Sequence, residues 1–369
     1  MASSQTMSPV LITGGCGFIG FHLVQRILTA EPSCHLHVLD INTSRNRRTH
    51  ANITYHTCDI TSASAVDAII QKALPRTIFH AACPDSMIPN DAHFFDVNVR
   101  GTRNLLDSVA RIGTARCLVF TSTSSVIHDN VSDLLDADET LPVLHPPAQK
   151  RVYTLTKATA EAEILACNRK KGDCRGLLTC SLRPCTAIGE ADTICLGKLL
   201  PTAVAGKTRF QMGGGKNVYD FMYVGNLADA HILAAQHLLA AWGKPTPLQE
   251  KRVDGECFNI TNDERILFWD FARKVSAAAG HPVKKEEITV VPVWIGLLMG
   301  WVSEWIVWLK SGGREQPNMT LEGCRLSTIH RTLNSEKAKR VLGYRPAVSL
   351  DEGIDRGVRW WLEKNEGKR

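Results

Sequence analysis

The sequence predicts an α/β protein built on a doubly wound parallel sheet, with a smaller, mostly C-terminal region added to it. Three observations favour this fold class. Short apolar runs alternate with helix-period segments in the first half of the chain, a glycine-rich turn follows the first run, and the second half is less regular. Strands that are apolar on both faces suit a parallel sheet covered by helices on both sides.

The apolar runs and the amphipathic segments give the order of the elements. Strands that alternate with helices in this way imply right-handed crossovers within one sheet. The predicted strands are 10–13, 35–39, 53–58, 77–82, 117–121 and 178–182, and the predicted helices are 18–30, 64–74, 92–112, 152–171, 226–241 and 268–279.

The composition is typical of a globular protein in a reducing compartment. Of the 369 residues, 44% are hydrophobic and 22% are charged, and the net charge of +6 involves no long Lys/Arg run. These values exclude a disordered or coiled-coil chain and indicate no nucleic-acid partner. The twelve cysteines include no C-x-x-C pair, so we expect free thiols and no metal site. Residues 1–9 are too short and polar for a secretory signal.

A dinucleotide-binding turn is predicted at residues 13–20, which read T-G-G-C-G-F-I-G between the first strand and the first helix. Its glycines allow a tight turn, a close approach of the backbone to a pyrophosphate, and packing of the helix on the strand. The helix N-terminus offers N–H groups to the phosphates. The cofactor-binding residues predicted here are Gly14, Gly17, Phe18, Ile19 and Gly20.

Asp40 ends the second predicted strand, 20 residues after Gly20. A carboxylate at this place hydrogen-bonds both ribose hydroxyls and repels a 2′-phosphate, which favours NAD and leaves NADP as a possible second cofactor. The basic residues that follow, Arg45, Arg47 and Arg48, either soften this preference or form a solvated loop.

Asp59 and Ile60 follow the third predicted strand. An acidic side chain at this place reaches the adenine amino group or caps the next helix, and the sequence leaves both interpretations open. We therefore include Asp59 and Ile60 among the candidate cofactor-binding residues.

The candidate catalytic residues lie on the fifth strand and the helix after it. Tyr153 and Lys157 are four residues apart, so they share one face of a helix. An ammonium near a phenol lowers the pKa of the phenol, which can then exchange a proton with a substrate hydroxyl. Residues 121–125, T-S-T-S-S, place hydroxyl groups at a strand end, where ligands of open α/β sheets bind.

These motifs resemble the extended short-chain dehydrogenases/reductases, and within them the 3β-hydroxysteroid dehydrogenase branch, most closely its decarboxylating sterol dehydrogenases. The resemblance extends over residues 9–362 and implies a Rossmann sheet. The further stretches that carry it are 80–82 (H-A-A), 98–102 (N-V-R-G-T), 182–184 (L-R-P), 220–231, 258–262, 268–271, 334–338 and 342–346.

The resemblance also implies the role of each site residue. Tyr153 would be the general base of the oxidative direction, and Lys157 would lower its pKa and bind ribose. Thr123 stands where the family has a catalytic serine, and Ser122 or Ser124 remain alternatives for the hydroxyl donor. Asn98 would support the active-site backbone. The resemblance adds Ala81 and Pro184 to the cofactor-binding residues, which would also include Tyr153 and Lys157.

The activity implied is NAD-dependent oxidation of the 3β-hydroxyl of a sterol or related terpenoid to the ketone, with loss of a C4 carboxyl as carbon dioxide. The substrate would be a lipophilic small molecule. A reductase or a nucleotide-sugar epimerase on the same scaffold is the alternative enzyme. A non-catalytic NAD-binding scaffold is a third hypothesis, although such a scaffold would not need Tyr153 and Lys157.

Residues 288–309 are almost entirely apolar, with four tryptophans and Glu304 as the only charge. The segment favours an interfacial helix on a membrane surface, with a buried core helix or a dimer contact as the alternatives. The resemblance implies the cytoplasmic face of the endoplasmic reticulum, or the cytoplasm if the segment is buried, and leaves open a homodimer or a sterol-demethylation complex.

We expect an NAD-binding domain at 1–188, to which 216–263 returns, and a substrate-binding region formed by 189–215 and 264–369.

Overall fold

The computed structural model describes residues 6–85, 90–169, 175–312, 317 and 319–366. The strands are β1 (Val10–Thr13), β2 (Leu36–Asp40), β3 (Ile53–Thr57), β4 (Thr77–His80), β5 (Cys117–Thr121), β6 (Leu134–Ala137), β7 (Leu178–Pro184), β8 (Thr186–Ile188), β9 (Phe210–Met212), β10 (Val218–Tyr223), β11 (Cys257–Ile260), β12 (Arg265–Leu267), β13 (Thr289–Val291) and β14 (Arg331–Leu333). The helices are α1 (Phe18–Ala30), α2 (Ala63–Ala73), α3 (Asp91–Phe94), α4 (Gly101–Ile112), α5 (Val152–Ala166), α6 (Leu196–Val204), α7 (Val224–Ala241), α8 (Phe268–Ala278), α9 (Val293–Ser311), α10 (Leu321–Leu326), α11 (Glu336–Leu342) and α12 (Leu350–Asn365).

The large sheet has the strand order β3-β2-β1-β4-β5-β7-β11. Every pairing in it is parallel. The order runs outward from β1 in one direction through β2 and β3, then resumes on the other side of β1 with β4. This reversal is the topological switch point, where ligands bind beyond the carboxyl ends of the strands. The predicted fold class is confirmed, and β11 adds a strand that the apolar runs did not predict.

Two hydrophobic cores cover the two faces of this sheet. Because neighbouring strand residues point to opposite faces, Leu11 and Ile12 belong to different cores. Helices α1 and α7 pack against each other on the face of the sheet that carries Ile12. Helices α2, α4 and α5 cover the face that carries Leu11. The active-site helix α5 is therefore fixed to the sheet by its buried residues Ala160 and Ile164.

A smaller sheet has the order β12-β10-β14-β6, and β8 pairs with β10. Its core includes Phe221 and Phe271, whose rings stack with 3.6 Å between centroids. Strand β14 lies between β10 and β6, so a late segment of the chain reaches the region that follows β5.

Two predicted helices differ from the structure by more than small shifts at their ends. The predicted helix 152–171 ends at Ala166, because Arg169 adopts a left-handed conformation (φ 44°) and pairs with Asp254. Residues 170 and 171 lie outside the described residues. The predicted helix 92–112 contains a π-helical stretch, Phe95–Arg100, and such stretches are frequent at functional sites.

The apolar segment 288–309 is not one element. Thr289–Val291 pairs with β9, and Pro292 then precedes helix α9. Gly296 and Gly300 are the buried residues of α9, while its four tryptophans are each at least half exposed. A buried core helix is therefore the wrong interpretation for this chain. In the described part of the chain, α9 is the one helix whose length and apolar composition would allow it to cross a membrane.

Candidate active site

The glycine turn lies at the switch point between β1 and β4. Gly14 has φ of +69°, and a Cβ atom there would lie 2.7 Å from the Cα of Ala82. A Cβ atom on Gly20 would lie 2.2 Å from the carbonyl oxygen of Gly14. Gly17 is the N-cap of α1 and supplies no side chain to cap it, so the first turn of α1 keeps N–H groups for an anionic ligand. Phe18 and Ile19 are half-buried in that turn.

Asp40 is buried at the carboxyl end of β2, beside this turn. Its two carboxylate oxygens accept hydrogen bonds from the backbone N–H groups of Cys16 (3.0 Å) and Asn42 (2.9 Å). Because each carboxylate oxygen has a second acceptor position, Asp40 keeps the capacity to accept ribose hydroxyls. Asp40 and the glycine turn are thus brought together as predicted.

The basic residues after Asp40 fold back toward α1. The Arg48 guanidinium carbon lies 4.2 Å from the ring centroid of Phe21, and that of Arg47 lies 4.5 Å from the ring centroid of Tyr55. These contacts hold the two side chains against aromatic rings at the edge of the cofactor region.

Asp59 and Ile60 have different surroundings. Asp59 is exposed and accepts hydrogen bonds from the N–H and hydroxyl of Thr61, while Ser62 occupies the N-cap of α2. The alternative that Asp59 is the N-cap is therefore wrong. Ile60 is buried against Gly101, where a Cβ atom would lie 2.6 Å from its Cγ2.

Ala81 and Pro184 lie at the carboxyl ends of β4 and β7. The Ala81 N–H donates to the Thr13 carbonyl at 3.1 Å, which joins it to β1 next to the glycine turn. Pro184 is the buried last residue of β7. Because β5 lies between these two strands in the sheet, Ala81 and Pro184 are on either side of the turn that follows β5. We call this turn, residues 121–125, the hydroxyl turn.

Tyr153 and Thr123 meet across the end of β5. Tyr153 is in the first turn of α5, where Phe94 contacts its ring edge to face with centroids 5.8 Å apart. Burial raises the pKa of Tyr153, and the positive charge of Arg151, the hydrogen bond with Thr123 and the charge of Arg331 oppose this rise. The pair can hold an alcohol oxygen between a phenol and a hydroxyl.

The other two candidate hydroxyls have different partners. Ser122 is buried beside Glu161 and helps to lower the pKa of that carboxyl. Ser124 accepts a hydrogen bond from Arg331 at 3.2 Å. Thr123, which lies beside Tyr153, accepts from the N–H of Ser125 at 3.2 Å, and this bond begins the short 3-10 turn Ser124–Ile127.

Lys157 is buried one turn after Tyr153, and its ammonium donates to the carbonyl of Thr121. Burial lowers the pKa of Lys157. The cations whose charge opposes the rise in the pKa of Tyr153 include Arg151 and Arg331. The Lys157 ammonium is directed at the end of β5, and its effect on the pKa of Tyr153 stays a prediction.

Asn98 lies in the π-helical stretch and is buried, with its amide nitrogen donating to the Thr156 hydroxyl at 3.0 Å. Its carbonyl oxygen Oδ1 is buried and has no hydrogen-bond partner in the described part of the chain. The Asn98 backbone carbonyl accepts from Thr102, whose hydroxyl contacts His80 Nε2 at 2.9 Å. Burial lowers the pKa of His80 to about 3, so the ring is neutral and bridges Thr102 to Thr13.

Sequence reasoning missed two groups at this site. Arg331, on β14, reaches the turn after β5 and donates to Ser125 Oγ at 2.8 Å. Glu161, on α5, forms a fully buried ion pair with Arg183 of β7. The L-R-P motif had indicated the place of Arg183, but no local pattern indicates that either arginine reaches these partners.

No group of three or more His, Cys, Asp or Glu side chains that could hold a metal ion occurs among the described residues. The cysteines of the described ranges are all free, and Cys174 lies outside those ranges.

This combination of a parallel dinucleotide-type sheet, a glycine turn at its switch point and a Tyr–Thr–Lys cluster is that of an extended short-chain dehydrogenase/reductase. Residues 11–292 match the model of the 3-beta hydroxysteroid dehydrogenase/isomerase family, and the chain belongs to this family.

Relatives along nearly the whole chain include sterol-4-alpha-carboxylate 3-dehydrogenase, decarboxylating, of Saccharomyces cerevisiae. It is 36% identical over 361 residues, which cover 96% of this chain and 98% of the yeast protein. The 3beta-hydroxysteroid-dehydrogenase/decarboxylase isoform 1 of Arabidopsis thaliana is 33% identical over 371 residues, which cover 97% of this chain and 80% of the plant protein.

Solved structures that share the fold include dTDP-glucose 4,6-dehydratase from Bacillus anthracis in complex with NAD. Its TM-score is 0.69 at 20% identity, with 97% of this chain and 98% of that chain covered. UDP-glucose 4-epimerase from Thermus thermophilus, also complexed with NAD, has a TM-score of 0.68 at 23% identity, with 96% and 98% covered. At these identities the likeness shows the fold alone.

Proposed function

We propose that this protein oxidises the 3β-hydroxyl of a 4α-carboxylated sterol or related terpenoid with NAD, and that the resulting β-keto acid loses carbon dioxide. The observation that carries the proposal is the placement of the Tyr153 phenol beside the Thr123 hydroxyl at the carboxyl end of β5, in a chain of the 3β-hydroxysteroid dehydrogenase family. The names of the yeast and plant relatives support the decarboxylating form of the reaction.

NAD fits the residues at the switch point. The cradle formed by Gly14 and Gly20 has no room for a side chain, and the uncapped N-terminus of α1 suits a pyrophosphate. Asp40 would accept the ribose hydroxyls and would disfavour a 2′-phosphate. Asp59 and Ile60 would lie on the adenine side, and Ala81, Pro184 and Lys157 on the nicotinamide side.

The chain's own residues hold the alcohol and move its proton. Thr123 donates to the C3 oxygen and orients it, while Tyr153 accepts the hydroxyl proton. Lys157 keeps the backbone at the end of β5 in place through its hydrogen bond to the Thr121 carbonyl. Asn98 supports helix α5 through its hydrogen bond to Thr156. Bound NAD would supply the acceptor for the hydride that leaves C3. Oxidation therefore needs Tyr153 deprotonated at the start of the step.

Loss of carbon dioxide follows from the product's own chemistry. The C3 ketone lies β to the C4 carboxylate, so the electron pair of the breaking C4–carboxyl bond is delocalised into the ketone as an enolate. The enolate then takes a proton and gives the ketone. No further catalytic group is required for this step, and a substrate without the carboxyl would stop at the ketone.

The test uses the purified protein with NAD and a 3β-hydroxysterol that carries a 4α-carboxyl, with NADH absorbance and carbon dioxide followed together. Both are expected to appear. Tyr153→Phe should stop turnover and leave NAD affinity nearly unchanged, and Tyr344→Phe, which removes a different buried phenol, bonded to the Thr261 carbonyl, is the control. NADH without carbon dioxide would contradict the decarboxylating assignment, and turnover by Tyr153→Phe would contradict the proton transfer.

We also propose that α9 lies in the surface of a membrane, which would be the cytoplasmic face of the endoplasmic reticulum. Glu304, its single acidic residue, accepts a hydrogen bond from the Leu321 N–H at 2.8 Å and so faces α10. Gly296 and Gly300 face the protein on the same side, where Cβ atoms would contact Met212 and Cys324. The tryptophans point outward, a distribution that suits the lipid–water interface.

Flotation with phosphatidylcholine vesicles tests this second proposal. Replacing Trp301, Trp305 and Trp308 together by serine should release the protein from the vesicles, whereas Leu248→Ser, at an even more exposed apolar residue elsewhere, should not. Vesicle binding that survives the triple replacement would contradict the proposal. If the parent protein does not bind vesicles but forms a dimer, and the triple replacement dissociates that dimer, the tryptophan face of α9 would be a contact with a second copy of the chain instead.

We further propose that residues 189–215 and 264–369 form the substrate-binding region, with α9 next to its entrance. The small sheet supports this division, because β14 delivers Arg331 to the hydroxyl turn after β5.

A further inference from the structure

Strand β14 places the cationic side chain of Arg331 against the hydroxyl turn that follows β5. The Arg331 guanidinium donates to Ser125 Oγ (2.8 Å), Ser124 Oγ (3.2 Å) and the Tyr219 hydroxyl (2.9 Å). Ser125 in turn donates its N–H to the hydroxyl of Thr123, which lies beside the Tyr153 phenol. Arg331 is therefore separated from the reacting alcohol by a single turn of chain, and its charge acts on the Tyr153 phenol.

The guanidinium has no carboxylate partner among the described residues. Its three hydrogen-bond partners are neutral hydroxyls, and its Nε is buried without a hydrogen-bond partner in the described part of the chain. The acid of the neighbouring strand, Asp220, accepts from the Leu333 N–H and lies 4.0 Å from Arg265 instead. A half-buried guanidinium without a counter-ion suits an anionic ligand, because its charge strengthens each hydrogen bond to an anion.

We propose that Arg331 binds the C4 carboxylate of the substrate and selects carboxylated sterols over those that lack the group. The inference rests on the proposed function. When the C3 oxygen lies between Tyr153 and Thr123, the carboxyl is on the adjacent ring carbon and reaches the side of the turn that holds Ser125 and Arg331. Arginine suits this task because hydrogen bonds from its cationic N–H groups to a carboxylate are charge-assisted.

The ion pair acts in binding rather than in the loss of carbon dioxide. The carboxylate is charged in the substrate and in the β-keto acid, whereas carbon dioxide is neutral. An arginine that holds the carboxylate therefore lowers KM for the acid and does not speed the cleavage of the C4–carboxyl bond. Arg331 is accordingly a specificity residue, distinct in its effect from Tyr153.

The experiment compares two sterols, one with and one without the 4α-carboxyl, in NADH-forming assays with the parent protein, Arg331→Gln and Arg331→Lys. The measured quantity is the ratio of kcat/KM for the acid to kcat/KM for the carboxyl-free sterol. Arg331→Gln should lower this ratio about 10- to 100-fold, as expected for hydrogen bonds to a charged group, mainly through KM of the acid. Arg331→Lys should lower it less. Arg340→Gln, which removes the same charge from an exposed residue of α11, is the control and should keep the ratio.

An equal fall of both kcat/KM values in Arg331→Gln would overturn the inference, since that result assigns Arg331 to holding Ser124 and Ser125 in place. If the variant does not fold, the parent protein decides: it should use the acid far better than its neutral 4α-methyl ester, and equal use would overturn the inference. Absence of NADH from both sterols with the parent protein would overturn the proposed function and the inference with it.

Discussion

Replacing Glu161 by glutamine tests how the active-site helix is held against the sheet. Glu161 lies on α5 one turn after Lys157, and its carboxylate accepts from Ser181 at 2.8 Å and from Arg183 Nε at 3.1 Å, with a further bond from Arg183 Nη2. The side chains of Glu161 and Arg183 are 3% and 4% exposed. The substitution removes one charge and leaves the other buried without its counter-ion.

The expected cost follows from this burial. Breaking a buried ion pair by removing one partner destabilises a protein by about 3–5 kcal/mol, a large part of the usual total stability. Glu163→Gln is the matched control, because Glu163 lies on the same helix and pairs with Arg103 at the surface. Exposed pairs contribute little to stability, so this control should remain close to the parent protein.

Urea unfolding followed by tryptophan fluorescence measures both variants. We expect Glu161→Gln to lower the free energy of unfolding by the stated amount, and Glu161→Leu combined with Arg183→Met to recover part of the loss, since apolar residues of similar volume often replace a buried pair without cost. A Glu161→Gln variant that is no less stable than Glu163→Gln would refute the reasoning.

The same pair gives a dependence on pH. Burial opposes the charge of Glu161, but the hydrogen bond and charge of Arg183 outweigh it, so the pKa of Glu161 in the folded protein lies below its ordinary value of 4.5. A depressed pKa stabilises the folded state above the unfolded pKa, and this contribution is lost as pH falls through the folded pKa. The stability difference between the parent protein and Glu161→Gln should therefore narrow as the pH falls below about 4.5.

Three further predictions concern the site. Asp40→Ala should weaken NAD binding and raise the use of NADP relative to NAD, and an unchanged coenzyme ratio in KM measurements would count against the ribose contact. Thr123→Ser should retain most of kcat, whereas Thr123→Ala should lower kcat about 100-fold, and equal rates in the two variants would remove Thr123 from the reaction. The oxidation rate should rise with pH in the alkaline range, because burial raises the pKa of Tyr153 and the phenol must lose its proton first. Arg151→Gln should move this rise to higher pH in steady-state profiles, and a profile that stays in place would contradict the electrostatic argument.

The parts of the site that the sequence predicts are those encoded over short distances along the chain. The spacing of Gly14, Gly17 and Gly20 requires a turn between a strand and a helix, and four residues from Tyr153 to Lys157 form one helical face. The structure contains both arrangements, together with Asp40 beside the turn. Local spacing says little about where a long side chain ends, and Lys157 accordingly reaches Thr121 rather than the Tyr153 phenol.

Contacts between distant parts of the chain are the parts that sequence reasoning could not supply. Arg331 is 206 residues from Ser125, and it reaches that turn only because β14 inserts between β10 and β6. The sequence around Arg331 contains no pattern that predicts this pairing. The direction of Glu304 is a similar case, because its contact with the Leu321 N–H depends on how α10 packs against α9.

The sheet order explains why the cofactor and alcohol sites are adjacent. The reversal between β1 and β4 opens the crevice in which the glycine turn lies, and β5, next to β4, ends in the hydroxyl turn. Strand order therefore fixes the position of Thr123 relative to Gly14, independently of the small sheet. The small sheet adds Arg331, which contacts the hydroxyl turn but not the glycine turn. Oxidation chemistry and substrate choice thus depend on different segments, so substitutions on β14 should change which alcohol is used more than which cofactor is used.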